Sequence, residues 1–331
     1  MYGIMHLHFP DTDPYMPNFG ELPFVFSAPD LDRLAIHRHD DVQYAALRAD
    51  STTRFVPVCG DDNILLADGV TPLLMDVTTV QPVLAEAHCT VLLGSFQGHP
   101  HLAIGLSAGV VLSNDKLTLT NLRPQFGVLD HGTLALLGYA RAMVHWHLQN
   151  RYCGKCGAPT HSRHAGHELH CSRCGNILYP RINPAIIVLV THRDRCLLGR
   201  QKSANRYSTL AGFVEPGENL EACVRREVRE ETNIRVACMQ YRASQPWPYP
   251  GSLMLGFHAQ AENTDIHCND GELAEARWFS RAAIIQGLRN NSLTLSTPQS
   301  ISHWLLREWF EETGEFTLAN FNPVDTHDAR S

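Results

Sequence analysis

Three glutamates stand close together in one charged segment, and their spacing suggests metal chemistry. In "RREVREETNI", Glu227, Glu230 and Glu231 occupy positions i, i+3 and i+4, so on an α-helix all three side chains lie on one face. Like charges at this spacing repel one another. A hard divalent cation such as Mg²⁺ or Mn²⁺ would remove the repulsion, because both prefer oxygen ligands. The alternative is a solvated charged face, in which neighbouring arginines offset the repulsion.

Two pairs of cysteines form a second group whose spacing suggests chemistry. Each pair has the form C-x-x-C and precedes a glycine, and fourteen residues separate the pairs. Four thiolates at this spacing are typical of a closed tetrahedral Zn²⁺ site, which has no open coordination position and is therefore structural. Disulfides, free thiols or a substitute ligand among four intervening histidines are the alternatives. The cysteines are Cys153, Cys156, Cys171 and Cys174, and the histidines are His161, His164, His167 and His170.

The segment "SQPWPYPGS", residues 244–252, combines three prolines with two aromatic side chains. Prolines restrict the backbone, so a segment of this kind loses little entropy when it binds a ligand. Aromatic side chains stack on flat rings. The segment therefore suits ligand recognition, and the alternative is a proline-stiffened loop that a tryptophan anchors to the core.

Composition and charge limit the classes of protein to which the chain can belong. Its 331 residues are enough for two or more domains, and 44% hydrophobic with 18% charged residues is typical of globular proteins. A net charge of −7 argues against nonspecific coating of nucleic acid, though not against recognition of one RNA end. The first residues resemble neither a secretory signal nor a transit peptide, and no apolar run approaches the roughly 20 residues that span a bilayer. We therefore expect a cytoplasmic protein with no membrane partner.

Apolar patterns and turn signals divide the chain into five segments. The first large segment is predicted to be mostly β and to end in a long helix, which Asp130 caps and which buries an apolar stripe from Leu134 to Trp146. The last large segment contains buried strands, the helix with the glutamates and a terminal amphipathic helix. The segments are a leader (1–20), a β-rich domain (21–150), a ribbon with the cysteine pairs (151–180), a domain with the glutamate helix (181–317) and a tail (318–331).

The glutamate segment belongs to a longer pattern that runs from Gly212 to Ile234. Gly212 is followed six residues later by Glu218, and eight residues after that by Arg226. This string resembles the Nudix box, G-x5-E-x7-R-E-U-x-E-E-x-G-U, in which U is a bulky aliphatic residue. Asn233 stands where the box has its last glycine, and asparagine tolerates the same left-handed conformation. The resemblance implies an α/β fold, the Nudix α/β/α sandwich with a mixed sheet.

The resemblance to the Nudix box also implies roles for the charged residues. Glu227 and Glu231 would bind the catalytic Mg²⁺ or Mn²⁺, and Glu230 would be either a further ligand or the base that activates water. Glu218 in the loop would pair with Arg226 and hold the loop against the helix. A non-catalytic nucleotide-binding module with the same fold is the alternative from a different class.

Three further features resemble the NADH pyrophosphatase branch of the Nudix superfamily. That branch has the signature SQPWPFPxS, from which this chain differs by Tyr249 in place of phenylalanine. It carries a four-cysteine zinc ribbon directly before the Nudix domain. A join of the form YPRxxPAxI follows the ribbon, here from Tyr179 to Ile186. The resemblance therefore implies a zinc ribbon and an N-terminal, mostly β, Nudix-like domain ahead of the catalytic domain.

The same resemblance implies further site residues. Tyr179 and Phe213 would stack on a base of the substrate, Glu272 would be a further metal ligand, and Ser302 would make a contact near the terminal helix. Tyr179 and Phe213 could instead be core residues, and Glu272 a surface charge. The proline-rich segment would line the substrate pocket through Gln245, Pro246, Trp247, Pro248, Tyr249, Pro250, Gly251 and Ser252.

The activity implied by the resemblance is metal-dependent hydrolysis of the diphosphate of NADH or NAD⁺ to nicotinamide mononucleotide and AMP. Members of the branch also remove NAD caps from RNA 5′ ends, and they are usually homodimers in which both subunits contribute to each site. A Nudix enzyme for ADP-ribose or a diadenosine polyphosphate is the alternative within the superfamily. A ribbon that binds nucleic acid is less favoured, because the ribbon sequence lacks an aromatic stacking platform.

Overall fold

The computed structural model describes residues 24–27, 30–107, 117–268 and 271–321. The predicted leader lies outside the described residues, as does most of the predicted tail. Among the described residues, no helix has both the length and the apolar character that a membrane crossing requires.

A five-stranded sheet with short helices around it forms the N-terminal part of the fold. Its strands are β1 (Arg54–Cys59), β2 (Asp62–Leu66), β3 (Cys89–Phe96), β4 (His99–Leu106) and β5 (Leu117–Thr120). Their order is β3-β4-β1-β2-β5, with β1 and β4 parallel and the other pairs antiparallel. The short helices are α1 (Asp41–Ala49) and α2 (Val77–Leu84), and 3₁₀ turns occupy Ala35–His39 and Arg123–Gln125.

A long helix, α3 (His131–Gln149), packs across this sheet. Asp130 caps its start by accepting a hydrogen bond from the amide of Thr133 at 2.9 Å. The apolar stripe from Leu134 to Trp146 is buried against residues of β1 and β3. The predicted helix, its cap and its buried stripe are therefore confirmed.

A small antiparallel sheet follows α3 and carries the cysteine pairs. Its strands are β6 (Thr160–Arg163), β7 (Glu168–Cys171) and β8 (Ile177–Leu178), with a 3₁₀ turn at His164–Gly166 between the first two. The Nε2 atom of His167 lies 2.7 Å from the carbonyl oxygen of Leu92, and Nε2 of His147 lies 2.8 Å from that of Gly166. These two hydrogen bonds join the ribbon to β3 and α3.

The C-terminal part contains a mixed six-stranded sheet. Its strands are β9 (Asn183–His192), β10 (Arg195–Gln201), β11 (Leu210–Phe213), β12 (Val236–Trp247), β13 (Ser252–Ala261) and β14 (Leu273–Ser280). The order is β12-β13-β9-β10-β14, and β11 pairs with β9. The pairing of β9 with β13 is parallel and the other pairings are antiparallel, so the sheet is mixed, as predicted.

Helices cover both faces of this mixed sheet. Helix α4 (Leu220–Thr232) lies on one face, and α5 (Arg281–Arg289) and α6 (Ile301–Glu311) lie on the other. Alternation along β9 explains the two layers, because Ile186 packs with the α4 side and Ile187 packs with the α6 side. The predicted α/β/α sandwich is therefore confirmed.

The first half of the proline-rich segment belongs to the strand that the sequence pattern predicts over residues 235–247. Residues 244–247 continue β12 and pair with residues 252–255 of β13, so residues 248–251 alone form the turn between the two strands. A proline is tolerated at position 246 because β12 lies at the edge of the sheet, where one row of backbone amides does not face another strand. The segment is thus the end of a β-hairpin, and the sheet determines its position.

Gly166 approaches β3 so closely that a side chain there is expected to destabilise the protein. Its φ is +92°, and a Cβ atom would lie 2.8 Å from the carbonyl oxygen of Thr90. Gly60 also has a positive φ, +61°, but nothing lies within 4 Å of a Cβ there. We expect Gly166→Ala to lower the free energy of unfolding by about 1–3 kcal/mol more than Gly60→Ala. Urea unfolding followed by circular dichroism measures both losses, and equal losses would contradict the steric argument.

Candidate active site

Helix α4 carries the three glutamates and has a defined residue at each end. Asn219 caps its start by accepting a hydrogen bond from the amide of Ala222 at 2.8 Å. Asn233 follows its last turn in the left-handed conformation, with φ 61°, and donates its amide hydrogen to the carbonyl oxygen of Arg229 at 2.8 Å. The asparagine at the last glycine position of the box therefore adopts the conformation that the sequence predicts.

Arg226 lies at the centre of the charged groups on α4. Its guanidinium donates to both oxygens of Glu218, at 2.6 and 2.9 Å, and so holds the preceding loop against the helix. It also donates to Glu227 at 2.8 Å and to Glu230 at 3.0 Å, and to the carbonyl oxygen of Phe213 at 2.9 Å. These charge-assisted bonds raise the pKa of Arg226, chiefly through Glu218. One fixed cation thus orients three carboxylates and the end of β11.

Glu227 is held between α4 and strand β11. A Cβ atom at Gly212 would overlap the carboxylate of Glu227, which explains why glycine occupies this position in the box. The side chain of Glu227 is 15% exposed. Burial raises the pKa of Glu227, Arg226 lowers it, and the negative charges of Glu230 and Glu272 raise it further. Glu272 therefore lies close enough to the helix to repel Glu227.

The carboxylates of this region are suited to a hard divalent cation. Glu231 is buried, with 3% of its surface exposed, while the side chain of Glu230 is 55% exposed. Glu227, Glu230 and Glu272 line one cleft. An all-oxygen donor set with mutual repulsion fits Mg²⁺ or Mn²⁺, which would offset the excess negative charge. Glu231 is not among the residues that line this cleft, and the roles of Glu227, Glu231 and Glu272 as metal ligands stay predictions.

The cleft above the glutamates has a volume of about 1360 Å³ and brings together several predicted site residues. Phe213 projects into it from the end of β11 and is 58% exposed. Trp247, Tyr249 and Ser252 of the proline-rich hairpin line the same cleft. Aromatic side chains and the glutamate face therefore share one open space.

A second cavity, of about 890 Å³, lies on the other side of the hairpin. Tyr179 lines it and is 62% exposed. Within one chain, Tyr179 and Phe213 therefore lie in different cavities, although both are predicted to stack on a substrate base. Trp247 and Ser252 of the hairpin line both cavities. Five further residues near the turn line only the second cavity: Pro246, Pro248, Pro250, Gly251 and Leu253.

Two other predicted site residues are buried in hydrogen-bond networks. The side-chain nitrogen of Gln245 donates to the carbonyl oxygens of Val25 and Gln299, and its oxygen accepts from the amide of Ile301 at 2.8 Å. Ser302 Oγ accepts from the amide of Thr209 at 3.1 Å. Neither side chain is among the residues that line the cleft, and their contact with substrate stays a prediction.

Two arginines that the sequence analysis did not select support Tyr249. Arg141, on α3, donates to the carbonyl oxygen of Pro248 and to that of Asp61, and its guanidinium lies 4.5 Å from the centre of the Tyr249 ring. Arg123 lies 4.5 Å from the same ring. A sequence signal exists for Arg141, because an arginine within the apolar stretch of a buried helix needs a partner. No local pattern identifies Pro248 as that partner.

The four cysteines come together as the sequence predicts. Their Sγ atoms lie within 4.8 Å of one another, with Cys153–Cys174 at 3.8 Å and Cys156–Cys171 at 3.4 Å. A tetrahedral zinc site with Zn–S bonds of about 2.3 Å places sulfurs about 3.8 Å apart. The amides of Cys174 and Arg173 donate to Cys171 Sγ and lower the pKa of that thiol to about 6. The group fits a structural Zn²⁺, and no intervening histidine belongs to it.

Models of known families match most of the chain. A model described as "NUDIX domain" matches residues 181–296. One described as "NADH pyrophosphatase zinc ribbon domain" matches residues 148–179, and one described as "NADH pyrophosphatase-like rudimentary NUDIX domain" matches residues 52–146.

Similar proteins carry the same name in several bacteria. "NAD-capped RNA hydrolase NudC" of Stutzerimonas stutzeri (strain A1501) is 41% identical over 216 residues, or 65% of this chain and 75% of that protein. The protein of that name in Pseudomonas aeruginosa (strain LESB58) is 40% identical over 205 residues, or 61% of this chain and 72% of that protein. A solved NUDIX hydrolase from Nitrosomonas europaea, 22% identical, has a TM-score of 0.42 over 50% of this chain and 94% of its own.

The Glu218–Arg226 pair predicts a specific dependence of stability on pH. Hydrogen bonds from Arg226 lower the pKa of Glu218 from 4.5 to about 2. Because the folded-state pKa lies below the unfolded one, the pair stabilises the protein above the unfolded pKa, and the effect is lost as pH falls through the folded pKa. The difference in unfolding free energy between wild type and Glu218→Gln should therefore shrink between about pH 4.5 and pH 2.

Urea unfolding at a series of pH values measures this difference. Glu221→Gln, on the exposed first turn of the same helix, is the matched control. A Glu218→Gln difference that stays constant down to the lowest pH would contradict the pairing.

Proposed function

Given that the chain belongs to the NADH pyrophosphatase branch of the Nudix hydrolases, we propose that it hydrolyses the diphosphate of NADH or NAD⁺. The products are nicotinamide mononucleotide and AMP. We include the NAD cap at an RNA 5′ end among its substrates, since that cap contains the same diphosphate and the similar proteins are named for this activity. The domain boundaries predicted above are part of the proposal.

The observation that carries this proposal is the shared cleft. Glu227, Glu230 and Glu272 line the same space as Phe213 and the hairpin residue Trp247. A dinucleotide has a doubly charged diphosphate flanked by two flat rings, so it needs cationic compensation near its centre and aromatic contacts beside it. The glutamate face with its ion supplies the first, and the aromatic side chains supply the second.

Residues of the chain position the reacting groups. Glu227, Glu231 and Glu272 would hold a Mg²⁺ or Mn²⁺ ion, which would supply positive charge for the diphosphate. Arg226 holds Glu230 through one oxygen, Oε2, at 3.0 Å. In the role of base, Glu230 takes a proton from the attacking water, which forms a new P–O bond as the bridging P–O bond breaks. The same geometry is compatible with Glu230 as a further ligand.

Arginines at the rim of the cleft are suited to the phosphate groups. Arg225 and Arg229 both line the cleft, on the same helix as the glutamates. Their guanidinium groups can donate in parallel to phosphate oxygens. Substrate phosphates would therefore meet arginines at the rim and the ion at the base of the cleft.

Substitution of a metal-binding glutamate tests the activity. We expect wild type to release AMP and reduced nicotinamide mononucleotide from NADH only with Mg²⁺ or Mn²⁺ present. Glu231→Gln should reduce kcat/KM by about 10²- to 10⁴-fold, because it removes charge from the ion's ligand set. Glu221→Gln is the control, since this glutamate lies on the first turn of α4. Chromatographic separation of the products measures both rates.

The substrates separate the remaining possibilities. NAD-capped RNA, ADP-ribose and a diadenosine polyphosphate are assayed beside NADH. Faster cleavage of ADP-ribose or the diadenosine polyphosphate would contradict the proposed role of the hairpin in recognising NADH. It would leave the metal-binding role of the glutamates unchanged. Metal-dependent turnover of none of them would indicate a nucleotide-binding module.

We also propose that the active form is a homodimer whose sites combine residues of both subunits. Tyr179 and Phe213 are exposed and lie in different cavities of one chain. Ile182, 66% exposed, lies three residues after Tyr179 and adds to the exposed apolar surface. In a homodimer, Tyr179 of one subunit could reach the cleft that contains Phe213 of the other.

We propose a cytoplasmic location, because the four cysteine thiols must stay reduced to bind zinc and the cytoplasm is a reducing compartment. Cell fractionation would test this location.

A mixing experiment tests the shared site. Tyr179→Ala and Glu231→Gln chains are each expected to have little activity as homodimers. Unfolded and refolded together, half of the dimers carry both variants, and one site in each receives intact residues from both chains. We therefore expect recovery of about a quarter of the wild-type activity. No recovery, although native mass spectrometry shows mixed dimers, would place Tyr179 and Glu231 of one chain in the same site.

A further inference from the structure

Two histidines and one glutamate form a cluster on the ribbon, separate from the four-cysteine group. The Nε2 atoms of His164 and His170 both approach Oε2 of Glu168, at 3.5 and 2.7 Å. One ligand atom from each of the three residues lies within 4.8 Å of the others. The three side chains are partly buried, with 35%, 34% and 16% exposed for His164, His170 and Glu168. The structure thus places two histidines of the ribbon in a group of their own.

Packing holds the backbone that presents these side chains. Glu168 and His170 are two residues apart on β7, so they lie on the same face of the strand. His164 begins the 3₁₀ turn in which Ala165 is buried and Gly166 lies against β3. The three potential ligands therefore come from a paired strand and an anchored turn.

His39 provides a hydrogen-bond partner for the far side of the His164 ring. Their Nδ1 atoms lie 3.0 Å apart, so one nitrogen must donate and the other must accept. If Nε2 of His164 binds a cation, its Nδ1 carries the hydrogen and donates to His39. Hydrogen bonds of this kind are usual for metal-binding histidines, because they fix the tautomer and the orientation of the ring.

We propose that His164, Glu168 and His170 bind a second divalent cation of the Zn²⁺ type. Two imidazole nitrogens and one carboxylate oxygen suit Zn²⁺ and Co²⁺ better than Mg²⁺, which prefers oxygen ligands. Bonds of about 2.0–2.2 Å place tetrahedral ligand atoms about 3.4 Å apart, so shifts of about 1 Å would complete the site. Three protein ligands leave one position open to water or to a small anion.

A cation at this position would join two parts of the chain. It would hold β7 to the 3₁₀ turn at His164–Gly166 and, through His39, to the turn at Ala35–His39 before α1. The melting temperature of the zinc-ribbon protein should therefore rise when a second equivalent of Zn²⁺ is added. The hydrolysis reaction is not involved in this inference.

Cobalt binding to the intact protein tests the second site. The full chain, with zinc in the four-cysteine group and excess Mg²⁺ to fill the glutamate face, is titrated with Co²⁺. We expect one further equivalent with weak visible bands and no thiolate-to-cobalt charge transfer, because nitrogen and oxygen are the donors. His170→Gln, His164→Gln and Glu168→Gln should each weaken binding at least about 10-fold, and His39→Ala by about 10-fold.

His161→Gln is the matched control, because His161 is exposed, belongs to the same ribbon and lies opposite His170 in the strand register. It should keep the cobalt bands and the rise in melting temperature. Each variant must also retain one tightly bound zinc, which shows that its ribbon is folded. Absence of a second equivalent in wild type would overturn the site and indicate a plain ion pair between the histidines and Glu168. Equal losses in His161→Gln and His170→Gln would overturn it as well.

Discussion

The guanidinium of Arg226 holds three carboxylates and a backbone carbonyl around one positive charge. It joins the loop at Glu218, the end of β11 at Phe213, and Glu227 and Glu230 on its own helix. One cation cannot neutralise the three carboxylates that it contacts, and Glu272 adds further negative charge nearby. The remaining repulsion is what gives the face its affinity for a divalent ion. The same guanidinium binds the backbone carbonyl of Phe213, whose side chain lines the cleft.

The hairpin that closes the cleft depends on residues from distant parts of the chain. Arg141 and Arg123, from the N-terminal part, contact Pro248 and Tyr249 at its turn. Gln245, in its first strand, binds the backbone on either side through three hydrogen bonds. Residues from the N-terminal part of the fold therefore support the hairpin, and loss of these contacts would displace the aromatic side chains that line the cleft.

Local spacing determined the main elements and both metal groups. Near neighbours in sequence determine the helix caps at Asp130 and Asn219 and the pairs of cysteines. The period of a strand determines the alternating burial along β9. The i, i+3, i+4 glutamates and the arginine before them likewise belong to one helix. For these features, the spacing of residues in the sequence predicts which side chains lie on the same face, because each position of a regular helix or strand points in a fixed direction.

Only the tertiary structure determines which distant segments of the chain are in contact. No period in the sequence relates Arg141 to Pro248, His39 to His164, or Gln245 to Val25, because each pair meets through the packing of separate elements. The register in which residues 244–247 of β12 pair with residues 252–255 of β13 is likewise set by the tertiary structure. The placement of Tyr179 and Phe213 in different cavities follows from the position of the hairpin between them. Sequence alone thus determined which residues could act and on which element, while packing decided which of them meet.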